Sequence, residues 1–423
     1  MNKVGFLFGA GLSKSVTNIG TMDITKIVLE PNDFEYRANG AGSWTEATDS
    51  NWGNEFDREG SKRLKSKIQI LLRYIANSME RYYLKQVNYE ELFYALHQIK
   101  DTAEKIQNNG RTQFDNPFQL QYVNELQKNL EPIFQHIGLD TVTINNQVEC
   151  TVPHVAGKAI DFVIEIVSRT ILKFRLQEGN GNAYSFVTDA LNDSCVFCRD
   201  IFCLNHDTLL ERFFKRAHIC FIDGFENVYG IFKWNPVLFK DIDQLKIFKL
   251  HGSVDWAYRE KTNGNSDTLE NDSPYDNFFC KLTDQESNSL NIPKYRLILI
   301  GTTNKIIDYT YGLFADLLAC FNLRLKELDT LISLGYSFND HGINAQIISW
   351  MFSDLRHRLI IIDKATEEEF LGKAIPHIKN NWDKWKSFGN SMFIRKKIEA
   401  LTWADLKPRI FNLRKKADGN ASY

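Results

Sequence analysis

Long apolar runs are missing from this sequence: nowhere in its 423 residues does one approach the roughly 20 apolar residues of a membrane span. No signal-peptide pattern stands before the first apolar segment, so neither export nor membrane insertion is expected. Paired cysteines are missing too. Seven cysteines in a chain this long are an odd number and form no disulfide framework, which favours a reducing cytoplasm. Cys195 and Cys198 make a CxxC with Cys203 close by, but Cys220 and Cys280 stand alone. The second pair that a structural zinc site wants is therefore absent, and no zinc is expected. No G-x-x-x-x-G-K-[ST] occurs, which excludes a P-loop nucleotidase. A strong charge of one sign is lacking as well, since the formal net charge is −2. That gives no global pull toward nucleic acid or a membrane surface. Low-complexity segments and internal repeats do not occur.

What remains is the composition of an ordinary globular protein, 43% hydrophobic and 25% charged. The length predicts one large domain with an insertion, or two domains. The organising stretch is Lys3 to Ser15, KVGFLFGAGLSKS. Val4, Phe6, Leu7 and Phe8 read as a buried strand that breaks into Gly9-Ala10-Gly11, with Ser13 just beyond. Nucleotide-binding folds begin this way, because glycines admit a diphosphate to the backbone and the amides of a helix start complement its charge. A tight turn without a ligand reads the same.

Residues Ser15 to Asn54 are rich in Thr, Asn, Gly and Asp and read as a long loop with a short helix or strand, either a lid or a surface insertion. From Glu55 the period becomes helical. Leu64, Ile68, Leu71, Leu72 and Ile75 recur at three- and four-residue steps, then Leu92, Phe93, Leu96 and Ile99 follow Asn88, a cap candidate. Further helices are expected over Phe118 to Ile137 and Ile160 to Leu176. After Asp193 strands and helices alternate. Apolar runs at 201–204, 220–222, 247–250, 297–300, 328–334 and 359–362 end in polar or glycine residues: Asn205-His206-Asp207, His251-Gly252-Ser253, Gly301-Thr302-Thr303, Gly335-Tyr336-Ser337 and Asp363. Such alternation predicts an α/β fold with a Rossmann-like parallel sheet, helices on both faces and the ligand at the carboxyl edge. The expected domains are 1–54 with 195–365 for the sheet, a helical insertion over 55–194, and a helical C-terminal segment over 366–423.

Taken in order, GAGLS at 9–13, N-x-D at 205–207, LHGS at 250–253 and GYS at 335–337 resemble the sirtuin (silent information regulator two) superfamily, in particular its bacterial sirtuin-like branch. The resemblance covers roughly residues 1–20 and 195–365. It implies NAD as substrate, with Asn205 and His251 as the catalytic pair and Gly9, Ala10, Gly11 and Ser13 cradling the diphosphate. It also places Gly335 and Ser337 on phosphate and adenosine ribose.

The residues fit that chemistry on their own terms. Nicotinamide leaves ribose as a neutral molecule through an oxocarbenium-like state, so no acid need push it out. Asn205 offers a donor and an acceptor to a water or hydroxyl, and His251 can take a proton near neutral pH. Asp207 would orient that turn or the ribose. Asp363 could accept from ribose hydroxyls and repel a 2′-phosphate, favouring NAD over NADP; Thr302 is a further candidate. Each also has a plainer reading: an Asx turn for N-x-D, a turn or core histidine for His251, a helix cap for Asp363. His206 is the second candidate base, since extended backbone would point it away from Asn205.

Two departures narrow the function that the resemblance implies. The Gly-Ile-Pro-Asp-Phe-Arg of protein deacylases is replaced by Ile19-Gly20-Thr21-Met22-Asp23, and only Cys280 lies between His251 and Leu297, where deacylases carry a four-cysteine ribbon. The expectation is therefore an NAD hydrolase of the antiphage-defence kind, with water as acceptor. Such an enzyme is expected to form homo-oligomers and to act alone or beside a HerA-type ATPase. A deacylase or ADP-ribosyltransferase, and a non-catalytic NAD or ADP-ribose sensor, remain the alternatives.

Overall fold

In a computed structural model, the residues described are 1–31, 34–37, 43–46, 55–107, 143–144, 147–148, 152–175, 183–260, 277–283, 295–301 and 305–420. The opening apolar run forms β1 (Asn2–Phe8), the middle strand of a seven-stranded sheet. Two short antiparallel pairs come next in the chain, β2 (Phe34–Arg37) with β3 (Ser43–Glu46) and β4 (Thr143–Ile144) with β5 (Gln147–Val148). The main sheet is completed by β6 (Val196–Cys203), β7 (Phe221–Ile222), β10 (Leu245–Lys249), β14 (Thr330–Leu334), β15 (Arg358–Asp363) and β16 (Ser391–Arg395). Its order is β16-β15-β14-β1-β6-β10-β7, and every pairing is parallel. This is the expected Rossmann-like α/β sheet.

Period-two alternation explains why the strands are apolar on both sides. Leu7, Phe202, Phe248, Leu331 and Leu359 share a core with the helices Gly312–Lys326, His341–Ser353 and Pro376–Ser387. Phe6 and Phe8 point the other way and meet Phe186 of the helix Ser185–Leu191, with ring centroids 5.6 and 6.3 Å apart. Helices thus cover both faces.

A second sheet has no counterpart in the expectations. It joins β8 (Phe225–Val228), β9 (Ile231–Trp234), β11 (Gly252–Glu260), β12 (Asn277–Lys281) and β13 (Tyr295–Ile298) in the order β13-β11-β12-β9-β8, all antiparallel. Phe225, Trp234 and Trp256 pack together beneath it, Phe225 and Trp256 with ring centroids 4.9 Å apart. The run at 297–300, expected as a strand of the parallel sheet, instead ends β13 of this one.

The chain divides into two compact units. One holds Met1–Gly20, Ile171–Leu299 and Lys305–Tyr423; the other holds Thr21–Thr170 and Ile300–Asn304. In the second unit the helix Glu55–Tyr83 buries Leu64, Ile68, Leu71, Leu72 and Ile75, as its period requires. Asn88 accepts from the amides of Glu90 and Glu91, both at 3.0 Å, to cap the helix Tyr89–Gln107. Part of the expected 15–54 loop is helical, Thr21–Leu29, and groups with this unit. A helix Val152–Leu172 lies where one over 160–176 was expected. The helix expected over 118–137 lies outside the described residues. The C-terminal segment is mainly helical, opening with a capping box of Thr366 and Glu369, but it groups with the sheet unit. Its short run SMFIR is β16, which pairs with β15.

Candidate active site

Strand register brings the sequence motifs to one edge. Phe8 of β1 lies opposite Cys203 of β6 and Leu334 of β14; Cys203 lies opposite Lys249 of β10, and Leu334 opposite Ile362 of β15. One step further along the chain stand Gly9, Leu204, Leu250, Gly335 and Asp363. The row is held by backbone bonds, Leu204 N–H to the Phe8 carbonyl at 2.8 Å, Leu250 N–H to the Cys203 carbonyl at 2.9 Å and Gly9 N–H to the Leu334 carbonyl at 3.0 Å. Asn205 and His251 each sit two residues beyond the last register pair of β6 and β10, in the turns that leave the two adjacent strands.

The glycines have a packing reason of their own. Gly11 N–H donates to the Gly335 carbonyl at 2.9 Å. A Cβ on Gly9 would fall 2.6 Å from the Gly335 carbonyl oxygen, and one on Gly335 only 2.5 Å from the Leu12 nitrogen. Gly335 also has φ +64, which disfavours any side chain. The two turns interlock only because both are bare.

Ser13, on the helix Ala10–Thr17, ties this turn to the N-x-D motif. Its Oγ donates to Asp207 Oδ2 at 2.5 Å and accepts from Asn205 Nδ2 at 2.8 Å. Asp207 Oδ1 accepts from Leu209 N–H at 3.0 Å, at the start of the helix Leu209–Arg216. Asn205 is therefore fixed by its amide nitrogen, while its Oδ1 is buried and has no hydrogen-bond partner among the described residues. His206 Nδ1 is in the same position. Burial, then the neighbouring charges of His251, Lys305 and Lys249, push the His206 pKa well below the usual histidine value, so the ring is neutral. Its other nitrogen bonds the His251 backbone. The rings of His206 and His251 have centroids 6.1 Å apart, and residues 204–206 lie beyond the end of β6, so strand alternation does not set which way His206 points.

Beneath the motif the Lys249 ammonium bonds the Asp207 carbonyl and sits 3.3 Å from Glu211. Burial works against that charge, but Glu211 and its neighbours hold the Lys249 pKa above the ordinary lysine value.

His251 has a carboxylate partner that the motifs did not reveal. Its Nε2 lies 2.9 Å from Asp340 Oδ2, and the Tyr309 hydroxyl donates to the same oxygen at 3.1 Å. Asp340 Oδ1 accepts from Ile343 N–H at 2.9 Å and caps the helix His341–Ser353. Burial would raise the Asp340 pKa, yet its bond to His251, that ring's charge, Lys305 and the Ile343 amide hold it well below the carboxylate range. The visible signal was an Asp immediately before a helix; that its second oxygen reaches His251 is a tertiary fact.

The remaining candidates are placed differently. Ser337 is exposed, its Oγ accepting from Asn339 Nδ2 at 3.1 Å. Asp363 closes β15 and accepts from Ala365 N–H at 2.8 Å in an Asx turn. Thr302 lies outside the described residues, and the strand leading toward it belongs to the antiparallel sheet, not to the parallel edge. No cluster of metal-ligating side chains occurs among the described residues. In the same unit a cavity of about 230 Å³ is lined by Phe279, Leu297, Leu299, Asp308, Leu313 and Phe314 among others.

No protein-family model matches the chain, and no curated protein matches it. Solved structures do, two Sir2 homologues among them. One is a Sir2 homologue in complex with NAD, 14% identical, covering 63% of this chain and 76% of that one, with a TM-score of 0.31. The other is a point mutant of a Sir2 homologue in complex with ADP-ribose, 13% identical, covering 76% of this chain and 96% of that one, also with a TM-score of 0.31.

Proposed function

We propose that the chain is a sirtuin-type NAD hydrolase, splitting the nicotinamide–ribose bond with water to give nicotinamide and ADP-ribose. The observation that carries this reading is the buried, unpartnered Oδ1 of Asn205, on a side chain whose other end is locked to Ser13 of the glycine turn. An acceptor left unsatisfied in a polar, buried setting costs about 1–3 kcal/mol, and a ribose hydroxyl or water is the group that relieves it. His251 leaves the end of the adjacent strand, two residues past the last register pair as Asn205 is, and would serve as the proton acceptor.

In this reading the turn of Gly9, Ala10, Gly11 and Ser13 lies against the diphosphate, while Gly335, Ser337 and Asp363 attend the adenosine half. Nicotinamide departs with the bonding electron pair and leaves neutral, ribose C1′ becomes electron-poor, and water adds to it. The water's proton passes to His251. Asn205 holds the water or the adjoining hydroxyl, and Asp207 holds Asn205 in place through Ser13. The order of the motifs and the lack of deacylase features favour water over an acyl-lysine as acceptor. On the same resemblance, the role is antiphage defence by NAD depletion, with activity held in check by homo-oligomer assembly or a HerA-type ATPase.

The test is NAD consumption by the purified chain, alone and with candidate activators, followed by chromatography of nicotinamide and ADP-ribose. Loss of both products in Asn205→Ala and His251→Ala is expected. Transfer of ADP-ribose to an acylated peptide would favour the deacylase or transferase reading. Tight NAD binding with no product in any condition would favour a sensor.

A further inference from the structure

We propose that Asp340 is the positioning residue of His251, fixing the ring through Nε2 and supplying the negative charge that faces it when it takes a proton. The inference rests on the hydrolase reading for its chemistry, but its geometry stands alone. A carboxylate 2.9 Å from Nε2 can only accept, so the neutral ring carries its proton on Nε2 and presents Nδ1 as its acceptor. When Nδ1 takes the proton of the attacking water, Asp340 keeps its charge and takes none.

Several observations separate this from a chance contact. Asp340, His251 and Tyr309 are 7%, 6% and 5% exposed, so the pair is shielded from bulk water. Both carboxylate oxygens are engaged. Oδ1 is anchored by the Ile343 amide and Oδ2 is shared by His251 and Tyr309, which leaves the carboxyl little freedom to rotate. The negative charge sits at the N-terminus of a 13-residue helix, where the helix dipole favours it. Phe338, two residues earlier, is buried with φ +55, a conformation that L residues avoid. The chain accepts that strain within the turn that delivers Asp340. The titratable and charged groups around the pair are Lys305, Tyr309 and Tyr336 on the Asp340 side and His206 on the His251 side.

Asparagine is as good a helix cap as aspartate, so Asp340→Asn keeps the cap on the Ile343 amide and replaces the charged acceptor that faces His251 and Tyr309 with a neutral amide. The full-length chain, Asp340→Asn and Tyr309→Phe are assayed for NAD turnover across pH, and histidine-labelled samples are read by 15N NMR for the His251 tautomer. Expected are an Nε2–H tautomer in the parent that is lost in Asp340→Asn, kcat lower by roughly 100-fold with KM for NAD unchanged, and an acid limb moved to lower pH. Tyr309→Phe shifts the same quantities by less. An Asp340→Asn chain with the parent's tautomer and pH profile overturns the assignment. Should the parent leave NAD intact, the hydrolase reading falls and the tautomer decides alone: Nε2–H retained in Asp340→Asn overturns it, and Nε2–H lost upholds it.

Discussion

Two regions of the sheet unit differ in kind. The cavity beside the antiparallel sheet has volume but little chemistry: it is lined by Phe, Leu, Gly and Tyr311, with one acidic residue, Asp308. The carboxyl edge of the parallel sheet is the reverse. It is packed with buried polar groups, some with atoms left unpartnered, and its chain turns are locked to one another. An apolar cavity forgoes packing contacts but leaves no polar group unsatisfied, whereas an unsatisfied buried oxygen is destabilising and persists where a ligand completes it. Unspent hydrogen-bonding capacity, rather than volume, is the better pointer to the reacting centre.

The sharpest way to break this contrast is to exchange the two regions in one assay. Asn205→Ala and His251→Ala are expected to lower NAD consumption by at least about 100-fold, while Asp308→Asn leaves it unchanged. Equal loss from all three would erase the distinction. Next in size is Gly335→Ala. Its left-handed backbone costs about 1–2 kcal/mol for any other residue, and the clash with the Leu12 nitrogen adds to that. Urea unfolding with a midpoint indistinguishable from the parent would show that the turns can slide apart. Ser13→Ala comes third. It removes both bonds that join Asn205 to Asp207, for a loss of about 1 kcal/mol in stability and a raised KM for NAD, read by denaturation and by kinetics.

The smallest effect is a slope. Burial raises the Asp308 pKa to about 6, opposed only in part by Lys305. The folded state therefore holds this proton more tightly than the unfolded state does. Stability from the group is full below the ordinary carboxylate range and is lost as pH rises through about 6. Asp308→Asn should flatten the decline in unfolding free energy between pH 4 and 6. An unchanged decline would show that the cavity leaves this carboxyl well solvated.

Much of the parallel sheet could be read from the amino acids because strands buried on both faces are apolar throughout, and their polar ends are abrupt. FLFGAG, CLNHD, KLHGS and LGYS each announce a strand and the turn that ends it. The antiparallel sheet could not be read in the same way. Its strands are short, its partners are far apart in sequence, and its aromatics, Phe225, Trp234 and Trp256, look like those of any core. That Asn205 and His251 follow the ends of strands was legible. Partnership was not: Asp340 reads as the cap of the next helix, and only folding brings its second oxygen to His251. At His206 the alternation rule does not apply, because the strand stops at Cys203.

The pairing of β6 with β10 acts as a ruler. Because Cys203 and Lys249 stand opposite one another, the distance from that pair to Asn205 is counted in the same two residues as the distance to His251. Deleting one residue from β10 while preserving its neighbours' bonds would carry Gly252 into the place of the imidazole and invert which side chains face each layer. The spacing of Asn205 and His251 is thus tied to strand length. Loops beyond the edge can change freely, but the number of residues within these strands cannot.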